Sequence, residues 1–374
     1  MPKKRRHAAA LQKHIGGKMT NRSKLYDSHA GRGAGFGEYH GWEIAEDFGA
    51  PQGEYDAVRR EAGVFDVSYL GKLCVTGRDR TRFLHNLVSN DIKGLKPGSG
   101  CYATLLTHQG RMESDLYIYA FEDEYLLECS PAGRERLHQS LQRYIVSDLV
   151  AIEDSSQSIA VLSLQGCRSK SLMENTLGLP LEGMSLLEHR TISRASGNWV
   201  VVRRDRTGCD GFDLWLPAQE AVEVWSHWTG AEKIRPAGHR ALNWLRTEAG
   251  IPWYGVDMDD RNLPLEMGLN SAISLTKGCY RGQEIVARIT YRGHLDRKLG
   301  AVAVNFAEPP ARGSEILAGG TKIGEVTSAI LSPRLQRPLA LAVLKTDFLT
   351  PGTAVEVAYG TSTHSGEVTT LPLS

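Results

Sequence analysis

Eight consecutive residues, Lys277-Gly278-Cys279-Tyr280-Arg281-Gly282-Gln283-Glu284, bring together a lysine, a thiol, a phenol, an amide and a carboxylate. Cations beside a thiol favour its thiolate form, so Cys279 is a candidate nucleophile, redox-active thiol or transient cluster ligand. A single cysteine with no second ligand nearby in sequence does not hold a metal by itself. A buried, inert thiol is the competing reading. Gly278 and Gly282 free the backbone at two points of the segment.

Three further segments carry groups able to do chemistry. In Thr107-His108-Gln109-Gly110-Arg111-Met112-Glu113-Ser114-Asp115-Leu116, a turn at Gly110 precedes a strand that opens on a carboxylate. Aimed into a cleft, Asp115 can act as a general base or hold a cationic centre. Asp115 and Glu113 also suit an ordinary solvated turn. In Arg203-Arg204-Asp205-Arg206-Thr207-Gly208-Cys209-Asp210-Gly211-Phe212-Asp213, glycines bracket Cys209 and Asp210 ahead of a strand. A carboxylate there, Asp210 or Asp213, can accept two hydrogen bonds from the donor edge of a heterocycle. A charged hairpin would look the same. In Asn243-Trp244-Leu245-Arg246-Thr247-Glu248-Ala249-Gly250, a helix sets Trp244 and Glu248 on one face and Arg246 on another. Arg246 is either an anion-binding fork or an exposed surface arginine.

The elements that must position these groups fall into two regions. Before about residue 290, strand-like runs alternate with amphipathic helices. Leu73 to Gly77, Tyr102 to Thr107, Leu116 to Phe121, Tyr125 to Cys129, Trp199 to Val202 and Phe212 to Leu216 read as strands. Arg80 to Val88, Arg134 to Tyr144 and His239 to Ala249 read as helices, with apolar residues at helical spacing. From about Lys298, short β-type runs separated by Gly and Pro predict a small barrel or sandwich. The run Gly31 to Gly37 is glycine-rich without phosphate-loop spacing and reads as a loop.

The chain has 374 residues, 41% hydrophobic and 23% charged, with a net charge of +1. That is the composition of a globular protein with a sizeable core and no global pull toward nucleic acid. No apolar run reaches the roughly 20 residues needed to span a bilayer. Six cysteines without a C-x-x-C pair predict reduced thiols and a cytoplasmic setting, and signal no metal site. Lys3-Lys4-Arg5-Arg6 opens a stretch expected to be a basic disordered tail over 1–20, with no secretory h-region behind it.

Several motifs together resemble the glycine-cleavage T-protein (aminomethyltransferase) family. They are Gly63-Val64-Phe65-Asp66-Val67-Ser68, Phe83-Leu84 through Asn90-Asp91, Leu245-Arg246-Thr247-Glu248-Ala249-Gly250 and Leu263-Pro264-Leu265-Glu266-Met267-Gly268-Leu269. Gly324-Glu325-Val326-Thr327-Ser328 and Ser332-Pro333 extend the match to the C-terminus. The Lys277–Glu284 run resembles the YgfZ-type branch of that family. The resemblance implies an α+β cloverleaf of subdomains around a central folate channel over 21–295, closed by a β-barrel over 296–374.

It also implies tetrahydrofolate as the ligand. Asp115 and Cys279 would carry the chemistry. Tyr102, Asp115, Asp210, Asp213, Arg246 and Tyr280 would meet the folate, with the tyrosines stacking on its rings. Arg288, Arg292, His294 and Arg297 suit its glutamate tail. One acid of the family's paired carboxylates is replaced by Ser114, and the tyrosine and first glutamate of "Y-T-G-E-D-G-x-E" by Arg206 and Cys209. The YgfZ resemblance implies a folate-binding protein that assists iron–sulfur client proteins. The alternative is a tetrahydrofolate-dependent aminomethyltransferase that meets a lipoyl carrier.

Overall fold

The computed structural model describes residues 20–373. The basic cluster expected as a tail therefore lies outside the described residues. Two antiparallel-rich sheets face one another. One has five strands, in the order Gly100–Leu106, Met112–Ala120, Glu124–Cys129, Gly71–Thr76 and Ala151–Asp154. The other has six, with Gly197–Arg203, Gly211–Pro217, Ile159–Gln165 and Gly63–Asp66 at its centre. Side chains alternate between faces along a strand, and that alternation separates core from cleft. Leu116, Ile118 and Leu127 point outward to Phe83, Leu84, Leu137 and Leu141 of the covering helices Arg80–Leu87 and Arg134–Arg143. Tyr119 and Leu126 point inward and meet Phe65, Val161 and Trp215 of the facing sheet. The far face of the six-stranded sheet packs on Met173, Trp225 and Trp228 of helices Ser169–Leu177 and Ala221–Gly230.

Residues 297–369 form a closed six-stranded barrel, in the order Arg297–Val304, Arg337–Lys345, Thr321–Ser332, Glu315–Ala318, Ala354–Tyr359 and Ser362–Thr369. Buried polar groups clamp it to helix His239–Ala249 and the loop that follows. Glu248 accepts from Tyr55 Oη at 2.6 Å and from Ser332 Oγ at 2.5 Å. Asp257 Oδ1 accepts from Thr327 Oγ1 at 2.8 Å and Ser328 Oγ at 2.5 Å. A register shift between Val326 and Ser328 lets these neighbouring hydroxyls reach one carboxylate. The motif residues Glu248, Thr327, Ser328 and Ser332 are thus partners in one interdomain clamp.

Three readings of the sequence are corrected. Asp115 is the fourth residue of strand Met112–Ala120, not its first, because pairing with Gly100–Leu106 begins close to the Gly110 turn. The glycine run is only partly a loop. Gly35–Tyr39 pairs with Trp42–Asp47 in a three-stranded sheet. Arg246, read as either an anion-binding fork or a surface arginine, is neither exposed nor free: it is buried, and its guanidinium pairs with the fully buried Asp257 carboxylate. The helix Gln283–Arg292 that ends the signature segment was not expected, although Ile285, Val286 and Ile289 fall at helical spacing along it.

Candidate functional site

Asp115, Tyr117 and Tyr119 share the inward face of their strand. Register pairing sets Tyr102 beside Tyr117, and Tyr117 beside Glu128. Opposite them, the hairpin after strand Gly197–Arg203 supplies Arg204 and Arg206. Asp205 fixes that hairpin by accepting from Thr207 N at 2.9 Å and Gly208 N at 2.7 Å. Buried Gln165 ties it to the sheet, donating to Arg204 O at 2.8 Å and accepting from Arg206 N at 3.0 Å. Between the two sheets a partly open cleft is found. Tyr39, Tyr69, Trp253 and Tyr254 wall it, while Asp115, Glu128, Arg204 and Arg206 bring charge.

Asp115 is 9% exposed. Its Oδ2 accepts from Tyr102 Oη at 2.8 Å, and its Oδ1 has no partner. Burial raises its pKa to about 6, an effect the tyrosine hydrogen bond only partly offsets. The carboxyl therefore changes charge close to neutrality. Tyr102 and Tyr117 stack at 4.3 Å, and the Arg204 guanidinium lies 3.5 Å from the Tyr117 ring centroid. Burial pushes the Glu128 carboxyl up, but the Arg206 and Arg204 guanidiniums outweigh it and hold Glu128 below its ordinary value. Behind the lining, His239 packs between Tyr39 and Trp253, and burial lowers its pKa to about 3.

The residues singled out in the sequence do not all meet here. Asp115 lines the cleft, with Tyr102 directly behind it. Asp213 is fully buried outside the lining, with both oxygens accepting from Arg206 at 2.6–3.2 Å. Asp210 lies outside it too, half-exposed and paired with Arg203 at 3.0 Å. Arg246 is separated from the cleft by Trp253, whose ring centroid is 4.6 Å from its guanidinium.

Cys279 is exposed, and Tyr280 is buried among Leu106, Met112 and Val286; neither lines the cleft. The cations flanking Cys279 are engaged elsewhere. Lys277 Nζ donates to the carbonyls of His85, Val88 (2.6 Å) and Asn90 (3.0 Å) at the end of helix Arg80–Leu87. Arg281 pairs with Glu113 at 2.8 Å. Asn90 links the two regions: its Nδ2 donates to Tyr102 O at 2.8 Å, while its own carbonyl holds Lys277. The expected glutamate-tail cations Arg288 and His294 are exposed and pair with Glu284 and Asp296, whereas Arg297 is paired with Glu266. No group of three His, Cys, Asp or Glu suited to a metal occurs among the described residues.

Sequence reasoning missed Arg204, Glu128, Tyr39 and Trp253. Glu128 left a signal, an acid embedded in the otherwise apolar run Tyr125 to Cys129. Arg204 left none, because Arg203-Arg204-Asp205-Arg206 has the composition of a solvated hairpin.

Two facing α+β layers, a polar-aromatic cleft between them and a closed C-terminal barrel define the class of the protein. Residues 25–277 match the GCVT N-terminal domain, and residues 297–374 match the glycine cleavage T-protein C-terminal barrel domain. The chain belongs to the glycine-cleavage T-protein family of aminomethyltransferases. It is 32% identical over 345 residues to an aminomethyltransferase of Geobacillus kaustophilus, covering 91% of this chain and 94% of the relative. It is 30% identical over 341 residues to an aminomethyltransferase of Caldanaerobacter subterraneus, covering 90% and 91%. The fold matches the crystal structure of glycine cleavage system aminomethyltransferase T from Bartonella henselae, with a TM-score of 0.87, 23% identity and coverage of 95% and 98%. No helix among the described residues is long and apolar enough to cross a membrane.

Proposed function

We propose that the cleft binds tetrahydrofolate and that the protein is a folate-dependent one-carbon transferase of the aminomethyltransferase type. The observation that carries this reading is Asp115: a buried carboxyl with one oxygen free, facing aromatic walls, with a pKa of about 6. The donor set fits a reduced pteridine, which is flat, apolar on its faces and rich in N–H groups at its edge. Bound there, tetrahydrofolate would supply ring nitrogens able to carry a one-carbon unit.

The chain's own residues then have distinct tasks. Asp115 Oδ1 accepts an N–H of the ligand and can take or return a proton there near neutral pH. Tyr102 fixes the carboxyl's orientation through Oδ2. Tyr39, Tyr69 and Trp253 exclude water and offer ring faces to the heterocycle. Asp213 contributes to the architecture through Arg206 and does not meet the ligand. The proposal is tested by titrating tetrahydrofolate calorimetrically, then by turnover with an aminomethyl-lipoyl donor. Formation of methylene-tetrahydrofolate supports transfer, and intact binding without turnover excludes that donor.

A second reading is favoured by the exposed Cys279 thiol on a segment docked against the Asp115 hairpin. Here the protein is a folate-binding accessory of the YgfZ type in the cytoplasm, and its partners are iron–sulfur proteins. Cys279→Ala would then retain tetrahydrofolate affinity and lose rescue of iron–sulfur enzyme activity in a deficient strain. Full rescue by that variant defeats the thiol role.

A further inference from the structure

The family's Y-T-G-E-D-G-x-E pattern is altered in this chain, and the alteration changes which polar atoms the cleft offers. Arg206 stands where the pattern has tyrosine, and it occupies both oxygens of Asp213 and one of Glu128. Those groups are mutually satisfied. Two polar atoms on buried side chains lining the cleft are not: Asp115 Oδ1, an acceptor, and Arg204 Nε, a donor. Arg204 is 9% exposed. Its Nη1 donates to Asp205 O at 3.2 Å, and its guanidinium is packed on Tyr117. Its Nε lies 3.9 Å from Glu128 Oε1, too far for a hydrogen bond. An unmade hydrogen bond at a buried charged group is costly, so a ligand that supplies the acceptor is strongly selected.

We propose that Arg204 is a specificity-determining residue that donates its Nε–H to an acceptor on the ligand, so that the cleft selects a 4-oxo-pteridine over a 4-amino-pteridine. This inference rests on the folate reading and adds the element that recognises the acceptor edge. Asp115 answers a donor on the ligand, and Arg204 answers a carbonyl. A 4-amino analogue presents a donor to a donor and leaves Nε unpaired. The stack of Arg204 on Tyr117 on Tyr102, whose hydroxyl ends on Asp115, holds the two recognition atoms in one rigid layer.

The test is calorimetric titration of the full chain with tetrahydrofolate and with its 4-amino counterpart. The wild type is expected to prefer the 4-oxo ligand by about 10- to 100-fold. Arg204→Met keeps the stem and removes the donor; it is expected to lose about 10-fold or more in tetrahydrofolate affinity and most of the preference. Arg204→Lys restores a donor and is expected to regain part of both. A wild type that binds both ligands equally overturns the inference, whether or not the variants fold. A folded Arg204→Met variant with wild-type affinity and preference also overturns it, while the folate reading stands. A wild type that binds neither pteridine removes the folate reading, and this inference with it.

Discussion

Gly282 of the signature segment sits back to back with Gly110 of the hairpin that leads into the Asp115 strand. A Cβ placed on Gly282 would lie 3.2 Å from Gly110 Cα and 2.5 Å from the Thr107 carbonyl oxygen. Gly282 has φ +81° and Gly110 φ +72°. Both glycines are therefore required twice over, for backbone conformation and for close approach. The contact explains why the thiol-bearing segment lies where it does. It docks on the turn that sets the start of strand Met112–Ala120.

Gly282→Ala is expected to cost about 1–3 kcal/mol, because strain at positive φ adds to the clash with Thr107. Gly278 makes the comparison: nothing lies within 4 Å of a Cβ built there, and its φ is not in the left-handed region. Gly278→Ala should stay within about 0.5 kcal/mol of wild type. Urea midpoints of the two variants check this, and equal stabilities would refute the docking.

The buried Asp115 carboxyl predicts a pH signature. Its folded pKa of about 6 is above the ordinary value of 3.8, so the folded chain binds more protons than the unfolded one between those values. Stability from this group therefore falls as pH rises from about 4 to about 6 and stays reduced above. Asp115→Asn lacks the charge. It should gain about 1–3 kcal/mol relative to wild type at pH 7.5, with a smaller gain at pH 4. Denaturation midpoints across this range decide the point, and a pH-independent difference would count against it.

Arg206 donates hydrogen bonds to both Asp213 and Glu128, which are 0% and 2% exposed. Arg206→Met leaves two buried carboxylates without their main partner and should cost about 3–5 kcal/mol at neutral pH. The loss should shrink in acid, where the carboxyls bind protons. A thermal scan at pH 5 and pH 8 reads both effects. A loss below about 1 kcal/mol would show that the triad is not a structural necessity.

Asp257 joins Arg246, the backbone N–H of Trp253 and the barrel hydroxyls of Thr327 and Ser328. Asp257→Ala removes the counter-charge of a guanidinium that is 1% exposed and loosens both the barrel clamp and one cleft wall. The expected cost is about 3–5 kcal/mol, with weaker folate binding in whatever protein remains folded. Calorimetric melting combined with ligand titration tests the linkage. Full stability in the variant would contradict the clamp.

Much of the fold was legible because period and punctuation were strong. Helix His239–Ala249 was read to its boundaries, and the barrel strands fell where apolar runs met Gly and Pro. Asp115 was legible as a candidate because it stands one turn from Gly110 in an alternating strand. Its burial was not, since only the facing sheet removes water from that side. Asp213 and Arg246 looked like ligand groups in sequence, yet their partners Arg206 and Asp257 enclose them in ion pairs. Arg206 lies 7 positions from Asp213, but its role depends on Glu128, 78 positions away, so only tertiary packing reveals it.

The central claim is that Asp115 receives a reduced pteridine in the cleft between the two sheets. Titration calorimetry of tetrahydrofolate into wild type and Asp115→Ala at pH 7.5 tests it most directly. The expected result is saturable one-site binding to the wild type, weakened about 10- to 100-fold in the variant. Absence of binding to the wild type, or equal affinity in both proteins, would contradict it.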